Sequence, residues 1–340
     1  MREIKTINDF LVNDYDYIFS KINNQLSQLN NKTLLITGIT GFVGKNILRT
    51  IIEHKKDHNL NISIIGISRN PTNFLAKYPE FQNTKYLSLI QADIINARFI
   101  NQIQEILKHN GNIDYIIHSA TDTSNPQTEA EAHYQFSSIV QGTNNILKLA
   151  SLYKIKKVLH MSSGAVYGFN KDSIEDFNED IDIHKIIENE THAYRDGKRI
   201  AEKLIEKSGT DYIIARGFTF FGQYLDLKSH FAIGNFLNHI LNGENIRING
   251  DGKSIRSYLH SSDMLIYLFH MLLSKTNIKI FNLGSADEIS IKDLAEWILR
   301  THSSNSKYKA LTLEILSKGD KKAKYYVPDT KKLIHHFEIK

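Results

Sequence analysis

The chain of 340 residues is 41% hydrophobic and 23% charged, with only 4 Pro and no Cys, the balance of a globular protein long enough to bury a sizeable core. Its 42 Lys+Arg against 37 Asp+Glu give a formal net charge of +5 and a pI near 9.0, which raises the question of a nucleic-acid or membrane-surface partner. The lack of cysteine excludes disulfide frameworks, thiolate metal sites and cysteine nucleophiles; no apolar run reaches the roughly 18 residues of a membrane span, and no signal-peptide pattern opens the chain, so a soluble, cytoplasmic protein is expected.

Taken along the chain, Phe10, Leu11, Ile18, Ile22 and Leu26 recur at helical spacing, so residues from about 9 to 29 read as an amphipathic helix packed on the outside of the fold. Short β-rich runs then alternate with helical segments. Strands are expected at residues 33–37, 62–67, 86–90, 113–118 and 157–162, and helices at 43–53, at 94–108 and over a stretch ending near 153. Near-continuous apolar strands separated by helices predict an α/β fold with a doubly wound parallel sheet covered on both faces. Beyond Ala193 a helix to Glu206, a strand at 211–216 and a helix from about Phe231 lead into shorter elements. Residues 169–190 hold eight acidic and two basic residues and read as a surface excursion.

TGITGFVG puts Gly38, Gly41 and Gly44 directly after the first strand and at the mouth of a helix. Glycine there allows a tight turn, lets a pyrophosphate approach without a Cβ in the way and leaves the helix N–H groups open to an anion. Strand, spacing and helix together point to a nicotinamide dinucleotide. The second strand ends in Ser68 and Arg69, where an NAD-preferring fold usually offers Asp or Glu to the ribose. An arginine with no carboxylate beside it suits a 2′-phosphate and favours NADP over NAD, although it also reads as a solvated loop residue. Asp93 and Ile94, after the third strand, are placed to hold the adenine, or Asp93 simply caps the following helix.

Tyr-x-x-x-Lys places an ammonium one helical turn from a phenol, where its charge favours the phenolate. The motif occurs five times, at Tyr17/Lys21, Tyr153/Lys157, Tyr167/Lys171, Tyr194/Lys198 and Tyr224/Lys228, so context must choose. Only Tyr194 and Lys198 open an amphipathic helix that follows a strand ending in serines. That strand, HMSSGAVYG, brings Ser163 to the carboxyl edge of the sheet, where open α/β sheets place their ligands. A hydroxyl there polarises a carbonyl or orients a sugar hydroxyl while the tyrosine handles the proton.

TGITGFVG, HSAT at 118–121, SSGAVYG, YRDGK and GDGKSIRSY together resemble the extended short-chain dehydrogenase/reductases, the nucleotide-sugar epimerase/dehydratase group, over residues from about 32 to 340. The resemblance implies a Rossmann-like dinucleotide domain at 32–218 and a smaller, discontinuous lobe at 219–340 for a nucleoside-diphosphate sugar, with 256–275 returning to the first domain. It implies Ser163, Tyr194 and Lys198 as the catalytic triad. It also extends the cofactor site to Thr40, Phe42, Val43, Ser119, Ala120 and Thr121, and implies a homodimer. For the substrate it implies Thr123, Ser163 and Gly164, with Asn235 at a helix start toward the diphosphate. Arg247 and Arg256 offer planar forks to phosphate oxygens, the family position favouring Arg256.

Departures from the family pattern refine the reading. Gly164 and Ala165 stand where 4,6-dehydratases carry the Asp-Glu acid and base, so elimination of water is disfavoured. Ile139 replaces a common asparagine, and Thr219 replaces another. His54 and His58 are spaced for one helix face, but Lys55 stands where a zinc protease needs Glu, so no metal is expected. The reading is therefore a reductase of a 4-keto-hexose on a nucleoside diphosphate, the alternative being a 4-epimerase with retained NAD; a non-catalytic dinucleotide sensor would typically have lost the tyrosine or the lysine. Residues 219–340 hold 17 Lys+Arg and 12 Asp+Glu, so the whole excess charge falls in the substrate lobe, as an anionic substrate requires, although residues 318–340 supply much of it and also read as a solvated tail. Without a basic stripe interleaved with aromatics, nucleic acid drops out.

Overall fold

The computed structural model describes residues 7–123, 125–168, 177–186, 191–228, 231–303, 311–317 and 324–339. The first half runs α1 (Ile7–Ser27), β1 (Lys32–Thr37), α2 (Phe42–Asp57), β2 (Ile62–Ser68), α3 (Pro71–Lys77), β3 (Leu87–Gln91), α4 (Arg98–Asn110), β4 (Tyr115–His118), α5 (Glu129–Tyr153) and β5 (Lys157–Ser163). It continues through α6 (Ala193–Glu206), β6 (Tyr212–Gly217), β7 (Phe220–Phe221), α7 (Ala232–Leu241), β8 (Ile246–Ile248), β9 (Ile255–Arg256), β10 (Leu259–His260) and α8 (Ser261–Leu273). β11 (Ile280–Leu283), β12 (Ile289–Ser290), α9 (Ile291–Ser303), β13 (Leu313–Ile315), β14 (Tyr325–Tyr326) and α10 (Lys331–Phe337) complete it.

Seven strands form one parallel sheet in the order β11-β6-β5-β4-β1-β2-β3. The expected doubly wound sheet is thus present, extended beyond β6 by a late strand. Alternation along each strand sends side chains to opposite faces. In β1, Leu34 and Ile36 join the core beneath α1, α2 and α8, whereas Leu35 joins the core beneath α4 and α5. α1 lies outside this arrangement, burying Ile18, Ile22 and Leu26 against the first core, as its periodicity predicts. α4 begins later than expected because Asp93 accepts the Ile95 N–H (3.0 Å) and Asn96 accepts that of Arg98 (3.1 Å), which turns the chain before the helix starts.

A smaller set of elements packs Ile233 and Phe236 of α7, Ile246 and Ile248 of β8, and Leu294 and Ile298 of α9 into a separate core. α8 leaves it to pack on β5 and β6, and β11 pairs with β6. Residues 177–186 do not stand off the surface: Phe177 and Ile183 are buried with Val166 and Tyr167, and Lys332 pairs with Asp180 at 2.8 Å. Their hydrophobic residues anchor the acidic ones. The rest of the 169–190 excursion lies outside the described residues.

A buried polar network binds the sheet to the late segments. Arg216 and Glu202 face each other at 2.7 Å with almost no exposure, Ser162 donates to Glu202, and Arg216 donates to the Tyr167 hydroxyl at 2.9 Å. The Tyr167 hydroxyl donates to the Asn282 amide oxygen (2.8 Å), and the Asn282 amide nitrogen donates to the Phe177 carbonyl (2.6 Å). Each charge has its partner, which is what makes such burial tolerable.

Candidate functional site

The carboxyl ends of β1 and β4 meet where the strand order reverses, the crevice in which open α/β sheets bind ligands. Gly38 has φ +70, and a Cβ there would sit 2.6 Å from the Ala120 nitrogen; one on Gly44 would sit 2.4 Å from the Gly38 carbonyl. Gly41 caps α2 without any side-chain hydrogen bond, no acidic residue occupies the first turn, and Phe42 and Val43 line the adjoining pocket. The residues present fit a dinucleotide: a side-chain-free loop and helix N–H groups open to its phosphates.

Of the expected cofactor residues, Gly38, Thr40, Gly41, Phe42, Val43, Ser68, Arg69, Ser119, Thr121, Tyr194 and Lys198 line one cavity of about 1420 Å³. Gly44 and Ala120 lie behind its wall. Asp93 and Ile94 are not in the lining: Asp93 caps the turn before α4 and accepts the Tyr134 hydroxyl (2.8 Å), while Ile94 is buried in the core. Tyr134 in turn accepts from Arg69 at 3.2 Å. The fold therefore supplies near Arg69 the carboxylate that its sequence neighbours lack.

Ser163, Tyr194 and Lys198 gather on the same cavity wall. Ser163 ends β5, and its Oγ accepts the Ala165 N–H at 3.1 Å. His192 caps α6, so Tyr194 stands in the first turn and Lys198 in the second, its Nζ 5.9 Å from the tyrosine ring centroid. Lys198 donates to the Thr121 hydroxyl (2.8 Å) and the Met161 carbonyl (2.6 Å), which leaves one of its three protons for a ligand. Burial pushes the Lys198 ammonium down to about 7, with Glu202 opposing, and it pushes the Tyr194 phenol up, with a hydrogen bond to Ser163 opposing. Desolvation thus outweighs the help to the phenolate that the Tyr-x-x-x-Lys spacing implies. Behind the lysine, His118 is held between Thr37 (2.8 Å) and Thr143 (3.1 Å), and the His160 ring lies tilted against it with centroids 5.1 Å apart.

Among the competing Tyr-x-x-x-Lys pairs, Tyr17 is exposed on α1 and bonded to Asp263, Lys157 is spent on the Ser274 carbonyl, and Lys171 lies outside the described residues. Tyr224 does line the cavity, over Lys45 rather than Lys228. Of the expected substrate residues, Thr123, Ser163 and Arg256 line the cavity. Gly164 lies just behind it, and Asn235 sits one turn into α7, whose start contributes Phe231 and Ala232 instead. Arg247 is exposed on β8 and paired with Glu314 at 3.2 Å, away from the lining. Ile139 packs under Gly197 where α5 meets α6.

Sequence reading missed four lining residues of consequence: Tyr326, Tyr258, Lys45 and Lys324. Lys324 was indistinguishable from the basic tail around it. Among the described lining residues six cations, Lys45, Arg69, Lys77, Lys198, Arg256 and Lys324, face one carboxylate, Asp226.

A parallel sheet in this order, with glycines at the helix mouth of its crevice, defines a Rossmann-like fold of the short-chain dehydrogenase/reductase type. The sequence profile described as the NAD dependent epimerase/dehydratase family matches residues 34–284, and the chain belongs to that family of enzymes. It is 27% identical over 298 residues to a dTDP-D-glucose 4,6-dehydratase of Dictyostelium discoideum, covering 81% of this chain but only 63% of that protein's length. An epimerase of Methanothermobacter thermautotrophicus superposes with a TM-score of 0.74 at 18% identity, over 95% of this chain and 91% of that one. A UDP-glucuronic acid 4-epimerase of Bacillus cereus, solved with UDP-glucuronic acid and NAD, superposes with a TM-score of 0.71 at 20% identity, over 91% and 93%.

Proposed function

We propose that this protein is an NAD(P)-dependent oxidoreductase acting at C4 of a nucleoside-diphosphate hexose, and that its reaction is the reduction of a 4-keto sugar. The observation that carries the reading is the convergence of Ser163, Tyr194 and Lys198 on a cavity large enough for two nucleotides and lined by cations. A bound nicotinamide dinucleotide supplies the hydride. Ser163 grips the carbonyl oxygen, Tyr194 delivers the proton to it, and Lys198 holds a ribose with its remaining N–H while its charge supports the phenolate that forms. Arg256 and Lys324 take the diphosphate.

Elimination of water is not part of the proposal. A Cβ at Gly164 would sit 2.6 Å from the Phe218 ring and 2.7 Å from the Tyr326 hydroxyl, so that position does not accommodate a carboxylate, and Ala165, which lines the cavity, offers no acid or base. The second reading, a 4-epimerase that retains NAD, is favoured by Asp93: linked to Arg69 through Tyr134, it occupies the arginine that a 2′-phosphate would need.

Identification of the dinucleotide released on denaturation separates the two readings. Protein that carries none and consumes NADPH with a nucleoside-diphosphate 4-keto-6-deoxyhexose is the reductase; tightly held NAD and interconversion of C4 epimers mark the epimerase. Wild type that neither binds a dinucleotide nor turns over a nucleotide sugar would overturn both.

A further inference from the structure

Side chains from three elements meet where β2 ends. Arg69 follows β2 and lines the cavity, Asp93 stands in the turn after β3, and Tyr134 lies in the second turn of α5. The backbone that carries Arg69 is fixed on both sides: the Ser68 hydroxyl oxygen accepts the Asn70 N–H at 3.1 Å, and the Asn70 side chain accepts that of Asn73 at 3.0 Å. Asp93 is fixed as well, one carboxylate oxygen accepting the Ile95 N–H at 3.0 Å while the other accepts the Tyr134 hydroxyl at 2.8 Å. The phenol oxygen, its proton committed to Asp93, accepts in turn from the Arg69 guanidinium at 3.2 Å.

A phenol has a single proton, so this arrangement has a direction. The carboxylate draws the proton, which leaves the oxygen a better acceptor for the guanidinium, since each bond in such a chain polarises the next. A tyrosine has few torsions to freeze, and the flexible partner that the hydroxyl orders is the arginine. A dinucleotide with a 2′-phosphate would need that guanidinium, because a nearby arginine is what accommodates the extra phosphate in this type of fold. The phosphate would have to break the bond between Arg69 and Tyr134 and approach the charge on Asp93, whereas a plain 2′-hydroxyl requires neither. We propose that Tyr134 is a specificity-determining residue of the dinucleotide site, its hydroxyl tying Arg69 back to Asp93 and so setting the site against a 2′-phosphate. This rests on the reading of the cavity as a dinucleotide site and holds for the reductase and the epimerase alike; in either case the tie lowers the advantage of NADPH over NADH.

Tyr134→Phe removes the hydroxyl and keeps the ring. Titration of protein freed of bound dinucleotide with NADH and with NADPH, followed by nicotinamide fluorescence, gives the ratio of the two dissociation constants. Tyr134→Phe should shift that ratio about fivefold toward NADPH, and in an Arg69→Met background the same substitution should leave it unchanged. Asp93→Asn should shift it about threefold in the same direction, again only when Arg69 is present, because an amide oxygen accepts the phenol proton but carries no charge. A tyrosine that merely fastens α5 to the turn before α4 would change the affinity for both dinucleotides together, or the melting midpoint, and leave the ratio where it was. That result overturns the proposal, as does an equal shift with and without Arg69. If Tyr134→Phe does not fold, Asp93→Asn must still shift the ratio in the presence of Arg69 alone, and a ratio that stays put overturns the proposal. Protein that binds neither dinucleotide removes the reading of the site together with the proposal, whereas binding of both with an unmoved ratio overturns the proposal alone.

Discussion

Lys198 spends two protons on Thr121 and the Met161 carbonyl, and that expenditure fixes where its third points. Replacing it with Met should raise the KM for the dinucleotide and lower kcat by about 10²–10⁴-fold, the range for loss of an acid–base partner. Tyr194→Phe should lower kcat by a similar factor and leave dinucleotide affinity near wild type; steady-state kinetics with a binding titration checks both. Gly164→Asp tests the exclusion of dehydratase chemistry. The new carboxylate must displace Phe218 or the Tyr326 hydroxyl, so the protein should lose roughly 1–3 kcal/mol in denaturant unfolding and gain no elimination activity. Release of water from a nucleoside-diphosphate hexose by that variant would contradict the packing argument.

α2 matters through its start. A Cβ at Gly44 would enter the backbone of Gly38 and Ile39 at 2.4 Å, so Gly44→Ala must shift the loop that faces the cavity. Dinucleotide affinity should fall by at least about tenfold, read by fluorescence titration, with a lowered melting midpoint. α1 contributes differently, by covering α8 with a stripe that includes Ile18, Ile22 and Leu26. Ile22 is fully buried, so Ile22→Ala should cost about 2–5 kcal/mol although it touches no site residue. Unfolding that leaves the midpoint unchanged would mean that the helix is peripheral to the fold.

Two histidines shape the acid stability of the whole molecule. Burial holds His118 down to about 3, with the Lys198 charge contributing, and holds His160 well below its ordinary range for the same reasons. Both are lowered in the folded state, so at pH values beneath 6.5 the unfolded chain binds more protons than the folded one. Stability is therefore complete above that pH and drains away as pH falls, by up to about 1.4 kcal/mol per unit for each histidine. Among the described residues neither ring nitrogen of His160 finds a hydrogen-bond partner, so His160→Phe should be nearly neutral at pH 7 and flatten the acid limb of a melting-point series. The cation-lined cavity makes a second prediction at this scale. Binding of a nucleoside diphosphate should weaken as salt rises, and Arg256→Met should cost about tenfold while Arg247→Met, outside the lining, costs nothing measurable by calorimetry.

What the chain determines by itself is what depends on near neighbours. The alternation in β1, the stripe of α1, the glycines at 38, 41 and 44 and the order of strands and helices are local patterns, and each was legible because periodicity and turn chemistry act over a few residues. The tertiary structure alone decided which chemistry those elements bring together. It set the Tyr326 hydroxyl beside Gly164, drew Lys324 out of a basic tail into the cavity and left Arg247 on the surface. It also gave Arg69 a carboxylate through Tyr134, although Asp93 belongs to another strand's end. Such contacts join residues far apart in the chain, and no short-range pattern encodes them; only burial of both cores fixes the register that makes them meet.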